Sequence, residues 1–158
     1  MSNISLFLKS NKKPKENTFY PATESLCDED GKPLEWEIRP VSTKEHNAIQ
    51  SDSMKEVPLP GKQGKRGKTE SKLDQVEYLR KLVAASVVYP DLLSAELQDS
   101  YGVKKPEELV QEMVSEAGEW NRFAEFISDF NGFAPLEEKV DAAKNSSKTE
   151  TPEQSFSI

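Results

Sequence analysis

The stretch "ELQDSYGV", Glu96–Val103, sets a carboxamide, a carboxylate, a hydroxyl and a phenol in a row from Gln98 to Tyr101. Ser100 would act as a nucleophile only beside a positioned base, and histidine is the usual one. The only histidine, His46, belongs to a different short segment. Carboxylates are abundant, but they fall at solvated helix spacings with no apolar setting that would lift one pKa above another. The stretch therefore reads as the last turn of a short helix that Gly102 stops. Leu97 and Tyr101 would face the core, with Gln98, Asp99 and Ser100 left to cap, turn or meet water. No catalytic constellation assembles, so the expectation is a non-enzyme with no cofactor.

"GKQGKRGKT", Gly61–Thr69, ends in the Gly-Lys-Thr of a phosphate-binding P-loop. That loop has four residues between its first glycine and the Gly-Lys pair. Here Gly61 and Gly67 enclose five, Lys62 stands where a glycine is required, and the preceding "EVPLP" is too proline-broken to be the buried strand that feeds such a loop. A solvated basic loop is the expectation. With one cysteine, Cys27, and one histidine, neither a disulfide framework within the chain nor a Cys/His zinc site has enough ligands.

The elements that must position these groups follow from 158 residues at 35% hydrophobic content, enough for the core of one domain plus tails. In "LEWEIRPV", Leu34, Trp36 and Ile38 alternate with Glu35, Glu37 and Arg39, the period of a strand with one buried face. Asp30-Gly31 supplies a turn before it, and "TFYPATESL" its partner, kept at a sheet edge by Pro21. Ser42 and Glu45 form a capping box for a helix from about Thr43 through Asp52. Val57–Lys72, with its prolines, glycines and lysines, reads as a mobile basic loop. Asp74–Tyr89 has the apolar spacing of a helix that Tyr89-Pro90 stops, and Asp91 is a candidate cap for the next one. Pro106, Glu107 and Glu108 open a helix that buries Leu109, Val110 and Met113.

After Gly118, "EWNRFAEFISDFNGF" sets Trp120, Phe123, Ile127 and Phe130 on one stripe with Phe126 beside it, and Gly132 closes the helix. Most of this stripe belongs to a core. Phe126 and Phe133, if outside it, would form an exposed apolar patch for a partner, so Trp120, Phe123, Phe126, Phe130 and Phe133 are the candidate partner-binding residues. A short helix in "PLEEKVDAAK" and a disordered tail over 144–158 follow. The fold class expected is α+β: a small antiparallel hairpin or sheet in the N-terminal third, packed with several short to medium helices. Residues 1–143 would make one domain, with the mobile basic loop at about 57–72.

The order of "EWEIRP", "VPLPGK", "YPDL", "AELQDSYGV" and "NGF" resembles the XkdN-like tail assembly chaperones of phages and defective prophages of Gram-positive hosts. The resemblance spans roughly residues 2–144; "KQGKRGKTESK" and the longer tail depart from it. It implies an α+β fold without catalytic activity. It also implies a role in coating the tape measure protein and bringing tail tube protein to it, absence from the finished virion, and in some relatives a longer frameshifted product. Self-association is a further expectation.

The net charge of -7 and the pI near 4.9 disfavour general nucleic-acid binding, which needs positive potential to displace counterions. A nucleic-acid binder using residues 62–72, or an acidic helical adaptor of another kind, are the alternative readings. The longest apolar run, Leu82–Tyr89, is far short of the roughly 20 residues that cross a bilayer. "ISLFL" is too short for a signal core, and the lone cysteine suits a reducing compartment, so the expected location is the cytoplasm of the bacterial host.

Overall fold

The computed structural model describes residues 3–59 and 68–133. It shows a mixed α+β architecture. The expectations for a helix from Pro135 to Lys144 and a disordered 144–158 tail lie outside the described residues.

Three short strands, β1 (Thr18–Tyr20), β2 (Trp36–Ile38) and β5 (Val87–Tyr89), form an antiparallel sheet in the order β1-β2-β5. Thr18 pairs with Ile38 and Tyr20 with Trp36. The expected pairing of "TFYPATESL" with "LEWEIRPV" is therefore present over "TFY" and "WEI", and β1, ending just before Pro21, takes the edge. Trp36 and Ile38 turn inward and are almost completely buried, at 1% and 0% exposure. Glu37 lies between them on the outer face, flanked by its partners Phe19 and Tyr89. The Asp30-Gly31 turn forms with Gly31 at φ 80°, closing a bridge between Cys27 and Pro33.

Among the described residues the α-helices are α1 (Thr43–Asp52), α2 (Gln75–Ser86), α3 (Ala95–Tyr101), α4 (Pro106–Met113) and α5 (Ala117–Phe130). The capping box at α1 is formed in full, Ser42 accepting from the Glu45 N–H and Glu45 accepting from the Ser42 N–H. Arg39, just past β2, donates to both Glu45 oxygens at 3.0 and 2.6 Å. These bonds, Arg39's first, hold the Glu45 carboxyl down to about 2, against an ordinary 4.5.

Because the folded pKa lies below the unfolded one, this stabilisation is fully present above about pH 4.5 and fades as pH falls toward 2. Exposures of 34% and 40% let solvent screen the pair, limiting its worth to about 1 kcal/mol. Glu45→Gln should lose about that much at pH 7, and its urea midpoint should vary less than the parent's between pH 4.5 and 2.

Three expectations are corrected. The helix over 74–89 ends at Ser86, and Val87–Tyr89 leave it to pair with β2, Ile38 against Val87. These are β-branched and aromatic residues, and the sheet offers ladder bonds that another helical turn ending at Pro90 could not. Asp91 caps no helix: its carboxylate accepts from the Leu93 N–H, and Ser94 caps α3 by accepting from the Leu97 N–H. The stretch read as a loop over 57–72 is strand at both of its ends. β3 (Met54–Pro58) and β4 (Thr69–Leu73) pair residue for residue from Met54–Leu73 to Pro58–Thr69, and residues 60–67 lie outside the described residues. Side chains add to the ladder, Thr69 and Ser71 donating to the two oxygens of Glu56 at 2.6 and 2.7 Å.

The ending of "ELQDSYGV" is as predicted. Gly102 sits at φ 69°, its N–H reaching the Asp99 carbonyl while the Val103 N–H reaches that of Gln98. The core unites Trp36 and Ile38 of the sheet, Leu82 and Val83 of α2, Leu109 and Val110 of α4 and Phe123 and Ile127 of α5.

Candidate functional site

The candidate aromatic residues on and after α5 divide by depth. Phe123 is fully buried at 0% exposure, its ring edge-on to Trp36 at 5.5 Å. Tyr20, turning inward from β1, stacks on Phe123 at 5.6 Å and on Phe126 at 4.2 Å. Phe126 and Phe130, one helical turn apart, lie parallel at 6.4 Å. Lys15 closes the row, its ammonium 4.3 Å above the Phe130 ring and donating to the Phe130 carbonyl. The result is an aromatic row running from the core to the surface along the open edge of β1.

Phe126 and Phe133 do not stand out as an exposed patch. Both are half-buried, Phe126 beneath Tyr20 and Phe133 against the His46 ring at 4.6 Å. Phe133 reaches His46 because Gly132, at φ 78°, turns the chain back, with the Phe133 N–H bonding the Ser128 carbonyl. Trp120 is half-buried beside a shallow hollow of about 440 Å³ that Val114 and Ala117 also line. Of the five candidates, Phe126 and Phe130 share one accessible row, Trp120 and Phe133 lie apart from it, and Phe123 is inside.

Polar groups fix both ends of α5. Near its start Glu119 accepts from the Thr23 hydroxyl at 2.6 Å and the Glu24 N–H at 2.8 Å, which hold its carboxyl below the usual range, Thr23 contributing most. Beyond its end Asn131 accepts from the Val41 N–H at 2.8 Å and donates to the Ile127 carbonyl at 3.0 Å. Asn131→Ala should cost about 1–3 kcal/mol, because the Val41 N–H loses its acceptor in a half-buried place. The check is a lowered denaturation midpoint with faster amide exchange at Val41.

His46 is no solitary surface residue, since its Nε2 lies 2.6 Å from the Tyr78 hydroxyl, whose pKa burial raises. Thr69, the last residue of the P-loop-like stretch, sits in β4 bonded to Glu56, where a P-loop threonine would enter a helix. Among the described residues no group of three or more His, Cys, Asp or Glu is arranged to hold a metal ion, and no helix is long and apolar enough to cross a membrane. The arrangement offers aromatic edges and apolar area, the means of contact with another polypeptide.

Sequence reasoning missed Tyr20 and Lys15, which complete the row, and it missed how exposed other apolar residues are. Ile4, Leu6, Phe7 and Leu8 lie open to solvent, as do Val88, Tyr89 and Leu93. For the first four the signal was available in "ISLFL", a dense apolar run followed by lysines.

The profile of the phage XkdN-like tail assembly chaperone proteins matches residues 4–144. Phage-like element PBSX protein XkdN of Bacillus subtilis (strain 168) is 23% identical over 144 residues, covering 90% of this chain and 94% of the relative. The uncharacterized protein YqbN of the same strain is 22% identical, covering 90% and 93%. The crystal structure of the protein YqbN superposes with a TM-score of 0.67 at 17% identity, over 85% of this chain and 99% of that one, so the two share a fold. With the profile spanning nearly the whole of the described chain, the conclusion is that this protein belongs to the XkdN-like phage tail assembly chaperone family.

Proposed function

We propose that this chain binds the tape measure protein, keeps it soluble and helps recruit tail tube subunits to it, without catalysing a reaction. It works in the cytoplasm of the bacterial host and is absent from the mature virion. The observation that carries the client-binding part is the aromatic row Tyr20–Phe126–Phe130, which presents half-buried ring edges beside an open strand edge. A tape measure protein with apolar helical stripes would lay them across such a row, and Trp120 and Phe133 would extend the contact. Net charge of -7 keeps the loaded complexes dispersed, and many weak contacts along one long client add by avidity.

Co-expression of a tape measure fragment with Phe126→Ser, and separately with Phe130→Ser, tests this. Each loss of a ring should weaken client capture on the order of tenfold, as for an aromatic anchor in an interface, while circular dichroism shows the variant still folded. Phe19→Asp, on the opposite face of β1, should leave capture unchanged. Folded row variants that hold the client as well as the parent does would overturn the reading.

A further inference from the structure

The N-terminal segment stands away from the domain that carries it. Every residue from Asn3 to Asn17 is exposed. Two short 3-10 turns, Ile4–Phe7 and Lys9–Asn11, fold the arm on itself, Asn3 capping the first and the Asn11 amide donating to the Ser5 carbonyl at 2.7 Å. The compact arm holds Ile4, Leu6 and Phe7 outward at 73%, 68% and 82% exposure. Lysines follow at 9, 12 and 13. Its root is fixed by Lys15 at Phe130 and by Asn17, whose amide donates to Glu37 at 2.8 Å.

On the β5 edge of the sheet, away from the β1 edge where the arm is rooted, lies an open groove of about 530 Å³ between α1, α2, β5 and the start of α4. That is the size of a site for a few apolar side chains. Ile49, Ala84, Val87, Leu92 and Leu93 supply its apolar walls. Asp52, Asp91 and Glu107 also line it, and among the described residues none of the three is in an ion pair. Of its two cations Arg39 is paired with Glu45, while Lys81, hydrogen-bonded to the Asp52 carbonyl, keeps its charge, so three carboxylates stand against one unpaired ammonium. The groove thus combines apolar walls with spare negative charge, and the arm combines apolar side chains with spare positive charge.

We propose that the arm of one copy docks in this groove of a second copy, Ile4, Leu6 and Phe7 against the apolar walls and the following lysines toward Asp52, Asp91 and Glu107. Arm and groove are different surfaces, so the contact is head-to-tail and a pair of copies keeps one free arm and one free groove. Such contacts build rings or open chains, not closed dimers. The proposal concerns the purified chain alone, so it stands or falls independently of client binding.

Sedimentation velocity of the full chain should show a weight-average mass that grows with concentration and shrinks as salt screens the lysine contacts. Leu6→Asp/Phe7→Asp keeps the groove and loses the arm, whereas Leu93→Asp keeps the arm and loses the groove. Leu93 is 74% exposed, so the substitution leaves the core intact. Each variant alone should be monomeric, with self-association weakened at least tenfold. Mixed in equal amounts they should form a dimer and nothing larger, because one sound arm meets one sound groove and the chain can grow no further. Three results would overturn the proposal: a parent chain still monomeric at about 1 mM, where even a millimolar contact is populated; undiminished assembly by either variant alone; or a mixture that stays monomeric.

Discussion

Phe123→Ala should cost about 3–5 kcal/mol, enough to leave the domain close to unfolding at growth temperature. The ring is fully buried, with Trp36 edge-on and Tyr20 stacked against it. Removing it opens a cavity walled by the sheet on one side and α5 on the other. Neither wall can close in freely, because α5 is fastened near its start by Thr23 and Glu24 on Glu119 and beyond its end by Val41 on Asn131. The cost should therefore lie in the upper part of that range. Urea titration followed by fluorescence would measure it, and a loss under about 1 kcal/mol would show that α5 repacks and that these fastenings hold little. Phe126→Ala, at a half-buried position of the same row, should cost clearly less, about 1–2 kcal/mol of lost burial.

Leu109→Ala is the second large effect, about 2–5 kcal/mol. Leu109 has no exposed surface and lies on α4, a helix of eight residues too short to persist by propensity. Its N-cap residue, Lys105, makes no side-chain capping bond, so burial of Leu109, Val110 and Met113 is what keeps the helix folded. Losing the first residue of that trio should loosen α4 together with α3, which packs on it. Hydrogen exchange should accelerate over residues 95–113 before it does in α5. Uniform acceleration across the chain would show instead that the helices open only as one unit.

The sequence announced features whose cause is local. The α1 capping box needs only Ser42 and Glu45 at the right spacing, and the glycine stop of α3 needs only Gly102. The buried faces of α4 and α5 were legible because helical period and burial coincide there. What stayed hidden depends on distant partners. Val87–Tyr89 carry the same apolar signal in a helix as in a strand, and β2, far upstream, decides between them. The β3–β4 ribbon has little buried surface on either face, so no alternation marked it, and Pro58 and Pro60 pointed to a loop. For the candidate site, periodicity placed the rings of α5 on the helix but could not say that Tyr20 covers Phe126 or that His46 meets Phe133.

The clasps between the first and last parts of the domain bear on how the chain is made. Thr23 waits for Glu119, 96 residues later, Val41 for Asn131, 90 later, and Lys15 for Phe130, 115 later. A ribosome adding about 5–20 residues per second leaves the early strands without these partners for on the order of 5–20 s. During that interval Tyr20 and Trp36 have no α5 to cover them, and the nascent chain exposes apolar surface of its own. For those seconds the early strands are themselves in need of shelter, and the arrival of α5 is the event that ends the exposure.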